Sequence, residues 1–263
     1  QDNRGMRAVK REKGLALVVT LLLTAILVAV ITEVVYSVHI SASIAESFKD
    51  GQRAGMLAEG GVELATMVIK TITKDKNYTA FRDEEAKMAI PVEDGVLSLR
   101  AEDEAGKFNL NSIVYPNGET NSENYAMYGR LLKILGLKSG LSDVLADWID
   151  INDEPRPGGG EGYDYYKRLS PSYSSKNAAL DSVEEILLVK DYTPAIYKGL
   201  KRFITVYSDE PIGMNTTFKI NINTASKEVI MALAAEITED MAERVIDFRD
   251  KNPFKDTADI RKV

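Results

Sequence analysis

The N-terminal segment constrains this chain most, because it contains a long stretch without any charge. Gly14 to Thr32 are 19 consecutive uncharged residues. As an α-helix they span roughly 30 Å, which is the thickness of the hydrocarbon core of a bilayer. Basic residues precede this stretch and place its N-terminal end in the cytoplasm: Arg4, Arg7, Lys10, Arg11 and Lys13. The sequence therefore predicts a single-pass membrane protein whose bulk, after Ile40, lies outside the cytoplasm.

The same helix is predicted to continue beyond the membrane. Neither Gly nor Pro occurs between Leu15 and Asp50, so no residue there interrupts a helix. Apolar residues then return at helical spacing: Ile40, Ile44, Phe48, Ala58, Val62, Ala65, Ile69 and Ile72. A basic segment, a glycine and a helix that is first apolar and then amphipathic resemble the N-terminus of type IV pilin-like precursors. A secretory signal peptide is the alternative, but it would have a shorter apolar region followed by a small-residue cleavage site.

Composition limits the classes of function. The chain has 33 Lys and Arg against 40 Asp and Glu, a net charge of −7, which disfavours nucleic acid and anionic surfaces as partners. It has no Cys, so disulfides, thiolate nucleophiles and Cys-containing zinc sites are excluded. Its single histidine, His39, lies at the predicted membrane boundary. Chemistry would therefore depend on carboxylates, Ser or Lys, and we expect a protein that is not an enzyme.

Residues 74–115 are predicted to form a small sheet region. Residues 74–94 are polar and irregular and indicate a loop. Alternating apolar residues then predict two antiparallel strands, Val96 to Asp103 and Lys107 to Leu110, joined by a turn at Glu104–Gly106. A sheet of this size needs cover on one face, and the amphipathic helix over 15–73 can supply it. The predicted fold class is α+β: a type IV pilin-like long N-terminal helix packed on a small antiparallel sheet, with a large all-helical insertion.

Residues 116–212 are predicted to be that helical insertion. One apolar stripe ends at Gly136 and contains Leu131, Leu132 and Leu135, and a second contains Leu141, Val144, Leu145, Trp148 and Ile149. Trp148, the only Trp, is interpreted as a core anchor. Further signals are a capping box at Ser182, a helix start at Thr193–Pro194 and a strand at Phe203–Tyr207.

Residues 213–263 are predicted to contain a short strand and a helical hairpin. Ile220 and Ile222 alternate with polar residues and indicate the strand. Thr224 is expected to cap a helix through Leu233, and Thr238 a second helix through Phe248.

Motifs along the chain carry a family resemblance. In order they are Lys13-Gly14-Leu15-Ala16-Leu17, Gly106-Lys107-Phe108-Asn109-Leu110-Asn111, Asp147-Trp148-Ile149-Asp150, Glu154-Pro155-Arg156-Pro157-Gly158, Glu161 with Tyr165-Tyr166, and Ile222-Asn223-Thr224-Ala225. Together they resemble the minor pseudopilin K family of bacterial type II secretion systems, from Arg11 to the end of the chain. The resemblance implies an inner-membrane subunit with a periplasmic head. It would form the tip of a short pseudopilus, in complex with the minor pseudopilins I and J.

The resemblance also assigns roles near the N-terminus. Prepilin peptidase is expected to cut between Gly14 and Leu15, and Leu15 to be methylated as the new amino terminus. The fifth residue of the cut chain is Val19, whereas most pilins carry a Glu there that pairs with a neighbouring amino terminus. Because a buried unpaired carboxylate is costly, an apolar residue suits a subunit that lacks a neighbour on one side. Val19 therefore fits a tip subunit whose helix packs among other pseudopilins.

Calcium binding in the helical insertion is a further implication of the resemblance. Acidic residues lie among glycines after the Trp148 helix: Asp150, Asp153, Glu161 and Asp164. Hard oxygen ligands on a flexible loop suit Ca²⁺, and these carboxylates would repel one another without a cation. By spacing this is not an EF-hand, and a solvated acidic loop is the alternative.

The last block also resembles a second class of protein. NINTASKEVI and ERVIDFRDKNPF are similar to the helix-hairpin-helix module of membrane-anchored competence DNA receptors. That module needs a Gly-containing hairpin whose N–H groups approach a phosphate. Here no Gly occurs from Met214 to Val263, and acidic residues would face the phosphates: Glu236, Glu239 and Asp240. The sequence predicts a shared scaffold without DNA binding.

Overall fold

Two compact units make up the chain. The computed structural model describes residues 3–74, 87–92, 95–157, 162–208 and 218–263. The first unit is Gln1–Thr66 and the second is Met67–Val263. The first unit belongs to one helix, and the second, which we call the head, contains the strands and the remaining helices.

The N-terminal helix, α1, spans Asn3–Lys74, which is 72 residues or about 110 Å. Its segment Leu15–Thr71 is long and apolar enough to cross a membrane. The large apolar side chains from Leu15 to Phe48 are exposed. Three threonine hydroxyls in the apolar stretch donate to carbonyls of the same helix, those of Thr20, Thr24 and Thr32. Their polar groups are therefore satisfied within α1, which an apolar environment requires.

The antiparallel sheet is a hairpin that begins earlier than predicted. Strands β1 (Lys87–Val92) and β2 (Gly95–Arg100) pair in register, with Lys87 opposite Arg100. The predicted loop over 74–94 is therefore wrong for residues 87–92. Pro91 lies inside β1, and Pro argues against a strand unless the strand is an edge. Both strands of a two-stranded hairpin are edges, so the hairpin accommodates it.

The predicted pairing of Val96–Asp103 with Lys107–Leu110 is wrong. Asp103 accepts the N–H of Ala105 at 2.9 Å and begins a 3₁₀ turn over Glu104–Gly106, which directs the chain away from β2. Gly106 is required there, because a Cβ would lie 2.6 Å from Thr224 Oγ1.

After this turn the chain forms a second, parallel pair of strands. Strand β3 (Phe108–Asn109) pairs in parallel with β4 (Ile204–Thr205). β4 lies within the strand predicted over Phe203–Tyr207. A 3₁₀ helix over Leu110–Ile113 follows β3 directly.

The head is otherwise built from short helices. They are α2 (Ser122–Ile134), α3 (Leu141–Ile149), α4 (Gly162–Lys167), α5 (Pro194–Leu200), α6 (Lys227–Leu233) and α7 (Glu239–Lys251). Further 3₁₀ helices span Val183–Leu188 and Thr257–Lys262. The long N-terminal helix, the small antiparallel sheet and the helical region confirm the predicted fold class.

Helix starts follow the predicted caps in two cases and differ in two. Thr193 accepts the N–H of Ile196 and Thr238 that of Met241. Ser226, instead of Thr224, caps α6, because the Thr224 hydroxyl donates to Asp103 Oδ2 at 2.7 Å. Ser182 precedes the 3₁₀ helix Val183–Leu188 without a side-chain cap bond.

The predicted strand around Ile220 and Ile222 does not form. The N–H of Asn221 donates to Ala105 O at 2.8 Å, and the carbonyl of Ile222 accepts from the buried Arg249 guanidinium at 2.6 Å. These backbone groups are therefore bound by the 3₁₀ turn and by a side chain.

Strand β3 runs through the centre of the core. Phe108 is fully buried and stacks on Tyr128, with ring centroids 5.4 Å apart. Around this pair lie other fully buried apolar side chains: Leu110, Ile113, Leu131, Leu132, Leu145, Ile186, Leu200 and Ile204. Trp148 is 3% exposed and belongs to the same cluster, as its interpretation as a core anchor requires.

Side-chain amides replace backbone partners in this core. Asn111 Nδ2 donates to Leu180 O at 3.0 Å, and Asn111 Oδ1 accepts Leu180 N–H at 2.7 Å. Asn223 makes the same reciprocal pair with Phe254, at 2.8 and 2.9 Å. Each side-chain amide thus makes the pair of hydrogen bonds that a neighbouring strand would make, between segments that form no strand there.

We expect Asn111→Ala to destabilise the head strongly. The change leaves the buried N–H and C=O of Leu180 without this partner, and each unsatisfied buried group costs about 1–3 kcal/mol. Asn117→Ala is the matched control, since Asn117 is exposed and accepts a single bond from Glu119 N–H. Urea denaturation followed by Trp148 fluorescence measures both. Equal losses in the two variants would contradict this account.

Candidate cation site

The carboxylates predicted as ligands lie at and after the C-terminal end of α3. Asp150 is the residue that ends this helix, with its N–H on Ala146 O at 2.9 Å. Asp153 is exposed in the loop that follows. Glu161 lies outside the described residues, and Asp164 is described only as part of α4. The structure therefore places two of the four predicted ligands and leaves the set as a whole untested.

Arg156 joins two buried carboxylates at this point. Its Nη1 lies 2.7 Å from Asp147 Oδ1 and 2.6 Å from Asp150 Oδ2. The Arg156 N–H also donates to the Asp147 carboxylate, and Arg156 Nη2 donates to Thr120 Oγ1 at 3.0 Å. The side chains of Asp147 and Asp150 are only 6% and 1% exposed, so water does little to screen them. We call Asp147, Asp150 and Arg156 the α3-end cluster.

Burial and the Arg156 guanidinium act in opposite directions on the charges of the α3-end cluster. Burial raises the pKa of the Asp150 carboxyl, although its hydrogen bond with Arg156 acts in the opposite direction. Burial alone would lower the pKa of the Arg156 guanidinium, but the hydrogen bonds with Asp147 and Asp150 outweigh burial and raise it. The C-terminal end of α3 adds partial negative charge from its free carbonyls. This end of α3 therefore carries buried negative charge that the Arg156 guanidinium offsets.

Two buried oxygens at this end of α3 have no hydrogen-bond partner in the described part of the chain. They are Asp150 Oδ1 and Asn177 Oδ1. Asn177 has φ of 50°, a conformation that Asn adopts more readily than most residues, and its N–H donates to Trp148 O at 3.0 Å. Its Nδ2 donates to Asp153 Oδ1 at 2.8 Å. Asn177 thus connects the end of α3 with the loop that carries Asp153.

These oxygens fit the donor set of a calcium ion. Ca²⁺ binds carboxylate and amide oxygens, and a buried oxygen without a donor is otherwise costly. No group of three or more acidic or histidine side chains close enough to hold a metal occurs within the described ranges. A calcium ion bound here would therefore need oxygens from residues other than these two.

An aromatic and ionic layer supports the other side of α3. Trp148 contacts Tyr166 edge to face at 5.0 Å, and its Nε1 donates to Glu185 Oε1 at 3.1 Å. Glu185 Oε2 accepts from Lys176 Nζ at 2.7 Å and from the N–H of Asp181. This second use of Glu185 explains why the predicted capping box at Ser182 does not form.

Sequence reasoning found one member of the α3-end cluster and missed the other two. Asp147 and Asp150 are three residues apart on a helix, a spacing that puts both on one face and was available as a signal. Arg156 stands between two prolines, and that pattern does not reveal its partners. Asn177 follows Asp150 by 27 positions and carries no signal in the sequence.

The C-terminal helical hairpin presents acidic groups. Lys227 on α6 bridges Glu239 and Glu243 on α7, and Arg244 pairs with Asp240 at 3.4 Å. The carbonyls at the end of α6 accept from Arg130, at 2.8 Å for Ala232 O and 2.9 Å for Leu233 O. Glu236 lies exposed between the two helices. Acidic groups thus lie around the turn of this hairpin, where the DNA-binding module would approach a phosphate.

Comparison with known families identifies the class. A family described as "Type II secretion system (T2SS), protein K" matches residues 106–209 through a model of its first part, and residues 220–262 through a second model. Together these matches include more than half of the chain. The second match includes the whole helical hairpin, so the competence-receptor alternative is not supported.

Individual relatives agree with the family matches. The type II secretion system protein K of Pseudomonas aeruginosa is 32% identical over 64% of this chain, and the match spans 49% of that protein. The proteins of the same name from Klebsiella pneumoniae and Aeromonas hydrophila are 26% and 24% identical, over 86% and 95% of this chain and 70% and 80% of their own lengths.

A solved structure has the same fold. A chain in the crystal structure of the GspK–GspI–GspJ complex from the type 2 secretion system of enterotoxigenic Escherichia coli matches with a TM-score of 0.55 and 16% identity. The match covers 77% of this chain and 82% of that chain. The two family matches thus place the chain among the components of a bacterial secretion machine. The chain belongs to the type II secretion system protein K family, as its motifs predict.

We expect Asp147→Ala to cost about 3 kcal/mol of the free energy of unfolding, because it breaks a buried ion pair and leaves Arg156 with fewer acceptors. Asp240→Ala removes the acidic partner of an exposed ion pair and should change little. Urea denaturation of both variants in the presence of a chelator makes the comparison. Similar stabilities of the two variants would contradict the role given to the α3-end cluster.

Proposed function

We propose that this chain is a minor pseudopilin that forms the tip of a type II secretion pseudopilus, a structural role without catalysis. The observation that carries the proposal is the pair of family matches in chain order, over 106–209 and 220–262, behind a helix long and apolar enough to span a membrane. The exposed apolar side chains of α1 suit a helix that first lies in the inner membrane and then packs among other helices.

The N-terminus supplies the maturation steps of this proposal. Gly14 is the residue after which prepilin peptidase would cut, and Leu15 the residue that would be methylated. Val19 lies on α1 with its side chain 47% exposed, so the fifth position offers a neighbour an apolar surface and no carboxylate. A subunit of this kind cannot neutralise a neighbouring amino terminus, which suits a place at the end of the fibre.

The partners proposed for the tip are the minor pseudopilins I and J. The fold neighbour comes from a complex of GspK, GspI and GspJ, and this chain would occupy the place of the K subunit. We expect the full chain, co-purified in mild detergent with the I and J proteins of the same organism, to give a complex with one copy of each. Size exclusion with light scattering measures its mass. A chain that stays apart from both proteins and binds duplex DNA at physiological salt would overturn the proposal.

Calcium is proposed as the cofactor of the head, bound at the α3-end cluster and the loop after it. Asp150 Oδ1 and Asn177 Oδ1 would be ligands, and Asp153, Glu161 and Asp164 remain candidates for the rest. When bound, the ion supplies positive charge that orders the loop. The chain's own residues hold Asp150 in place, through Arg156 and the end of α3.

We expect calcium to raise the thermal midpoint of the head. At a concentration of 100 times the Kd a ligand adds about 2.7 kcal/mol, and a chelator removes this gain. Asp150→Asn keeps the size of the side chain and removes its charge, so the calcium-induced rise should disappear. Asp240→Asn, at an exposed residue of α7, should keep the rise in full. Melting followed by Trp148 fluorescence tests this, and a full rise in Asp150→Asn would exclude Asp150 as a ligand.

A further inference from the structure

We propose that Arg156 is a built-in counter-cation of the calcium site. In this role it holds Asp147 and one oxygen of Asp150, so that the site is folded before a divalent ion binds. Asp147 is then a positioning residue for Arg156, and Asp150 offers the ion only its second oxygen. The inference rests on the calcium site proposed above and assigns roles within it.

The hydrogen bonds of the α3-end cluster divide its oxygens into two sets. Asp147 Oδ1 and Asp150 Oδ2 accept from Arg156 Nη1, at 2.7 and 2.6 Å, and both Asp147 oxygens accept from the Arg156 N–H. Asp150 Oδ1 has no well-aligned donor among the described residues, although Asp150 is 1% exposed and the Asn152 N–H also acts on this carboxyl and lowers its pKa. Of the two carboxylates, only Asp150 therefore has an oxygen left for another positive partner.

The backbone anchors Arg156 independently of its guanidinium. Its backbone N–H donates to Asp147 Oδ2 at 3.1 Å, a bond that does not involve the side chain of residue 156. Nη2 reaches Thr120 Oγ1, which lies just before α2. The guanidinium thus contacts the end of α3 and the segment before α2.

The positive charge of Arg156 has opposite effects on the stability of the cluster and on its affinity for a divalent ion. Two buried carboxylates at a helix C-terminus repel each other and the helix dipole, and one guanidinium offsets part of this repulsion. The same positive charge lies close to the oxygens that a divalent ion would use, so it weakens binding of that ion. Arg156 therefore stabilises the head in the absence of calcium and lowers the affinity of the site for calcium.

The test is Arg156→Gln in the full chain in detergent micelles, measured with calcium and with a chelator. In chelator the thermal midpoint should fall by about 10 °C relative to the parent chain, because a buried charge pair loses one partner. Saturating calcium should restore most of this loss. The Kd for calcium from titration calorimetry should be about tenfold lower, because the competing positive charge is gone.

Two further variants isolate the charge at position 156. Lys227→Gln is the matched control, since Lys227 also bridges two carboxylates, Glu239 and Glu243, but on an exposed surface. Its calcium affinity and its calcium-induced rise should equal those of the parent chain. Arg156→Lys keeps the positive charge and should keep the parent Kd.

The outcomes separate this inference from the calcium proposal. One outcome is that Arg156→Gln lowers the thermal midpoint equally with calcium and with chelator and keeps the parent Kd for calcium. Arg156 then contributes packing alone, and this inference fails while the calcium proposal stands. If Arg156→Gln no longer binds calcium, the guanidinium is part of the site and the inference fails as well. If neither the parent chain nor the variant binds calcium, the calcium proposal itself fails.

Discussion

The pairing of buried main-chain groups is the constraint on which the head depends. A buried N–H or C=O without a partner costs as much as a lost hydrogen bond, and most folds pair such groups in sheets. The described part of the head has only two-residue strands in its core, β3 and β4. Side chains therefore do the work of a longer ladder, as the reciprocal bonds of Asn111 with Leu180 and of Asn223 with Phe254 show.

Arginine side chains likewise pair buried acceptor groups near the ends of helices. Arg130 caps the C-terminal end of α6, where its guanidinium donates to two main-chain carbonyls. Arg249 donates from within the core to the carbonyls of Ile222 and Ala225, which precede α6. Arg156 donates instead to carboxylates at the end of α3. Each guanidinium has several donors in a fixed plane, so one residue can hold two acceptors.

The parts of the fold that follow from local sequence were predictable. The part of α1 between Leu15 and Asp50 follows from the absence of Gly and Pro there, and the caps at Thr193 and Thr238 from residue type alone. Pairings between distant residues were not predictable. Strand β3 resembles half of a hairpin with the strand before it, yet its partner β4 lies beyond the whole helical region.

The cation site shows the same division between local and distant information. Acidic residues after α3 are visible in the sequence and indicate negative charge that needs a partner. The partner that the structure supplies, Arg156, and the oxygen of Asn177 depend on how the loops fold back on α3. Residue type therefore shows where acidic groups gather along the chain, while the hydrogen-bond partner of each oxygen follows only from the tertiary contacts.

The two units of the chain differ in how they treat charged side chains. Along α1 from Leu15 to Thr32 even a single carboxylate would be costly in an apolar environment, and this stretch contains none. In the head, carboxylates are buried in the α3-end cluster because a guanidinium on the same chain reaches them. Charged side chains are thus absent from residues 15–32, where a partner would have to come from another molecule. They are buried in the head, where Arg156 of the same chain is the partner.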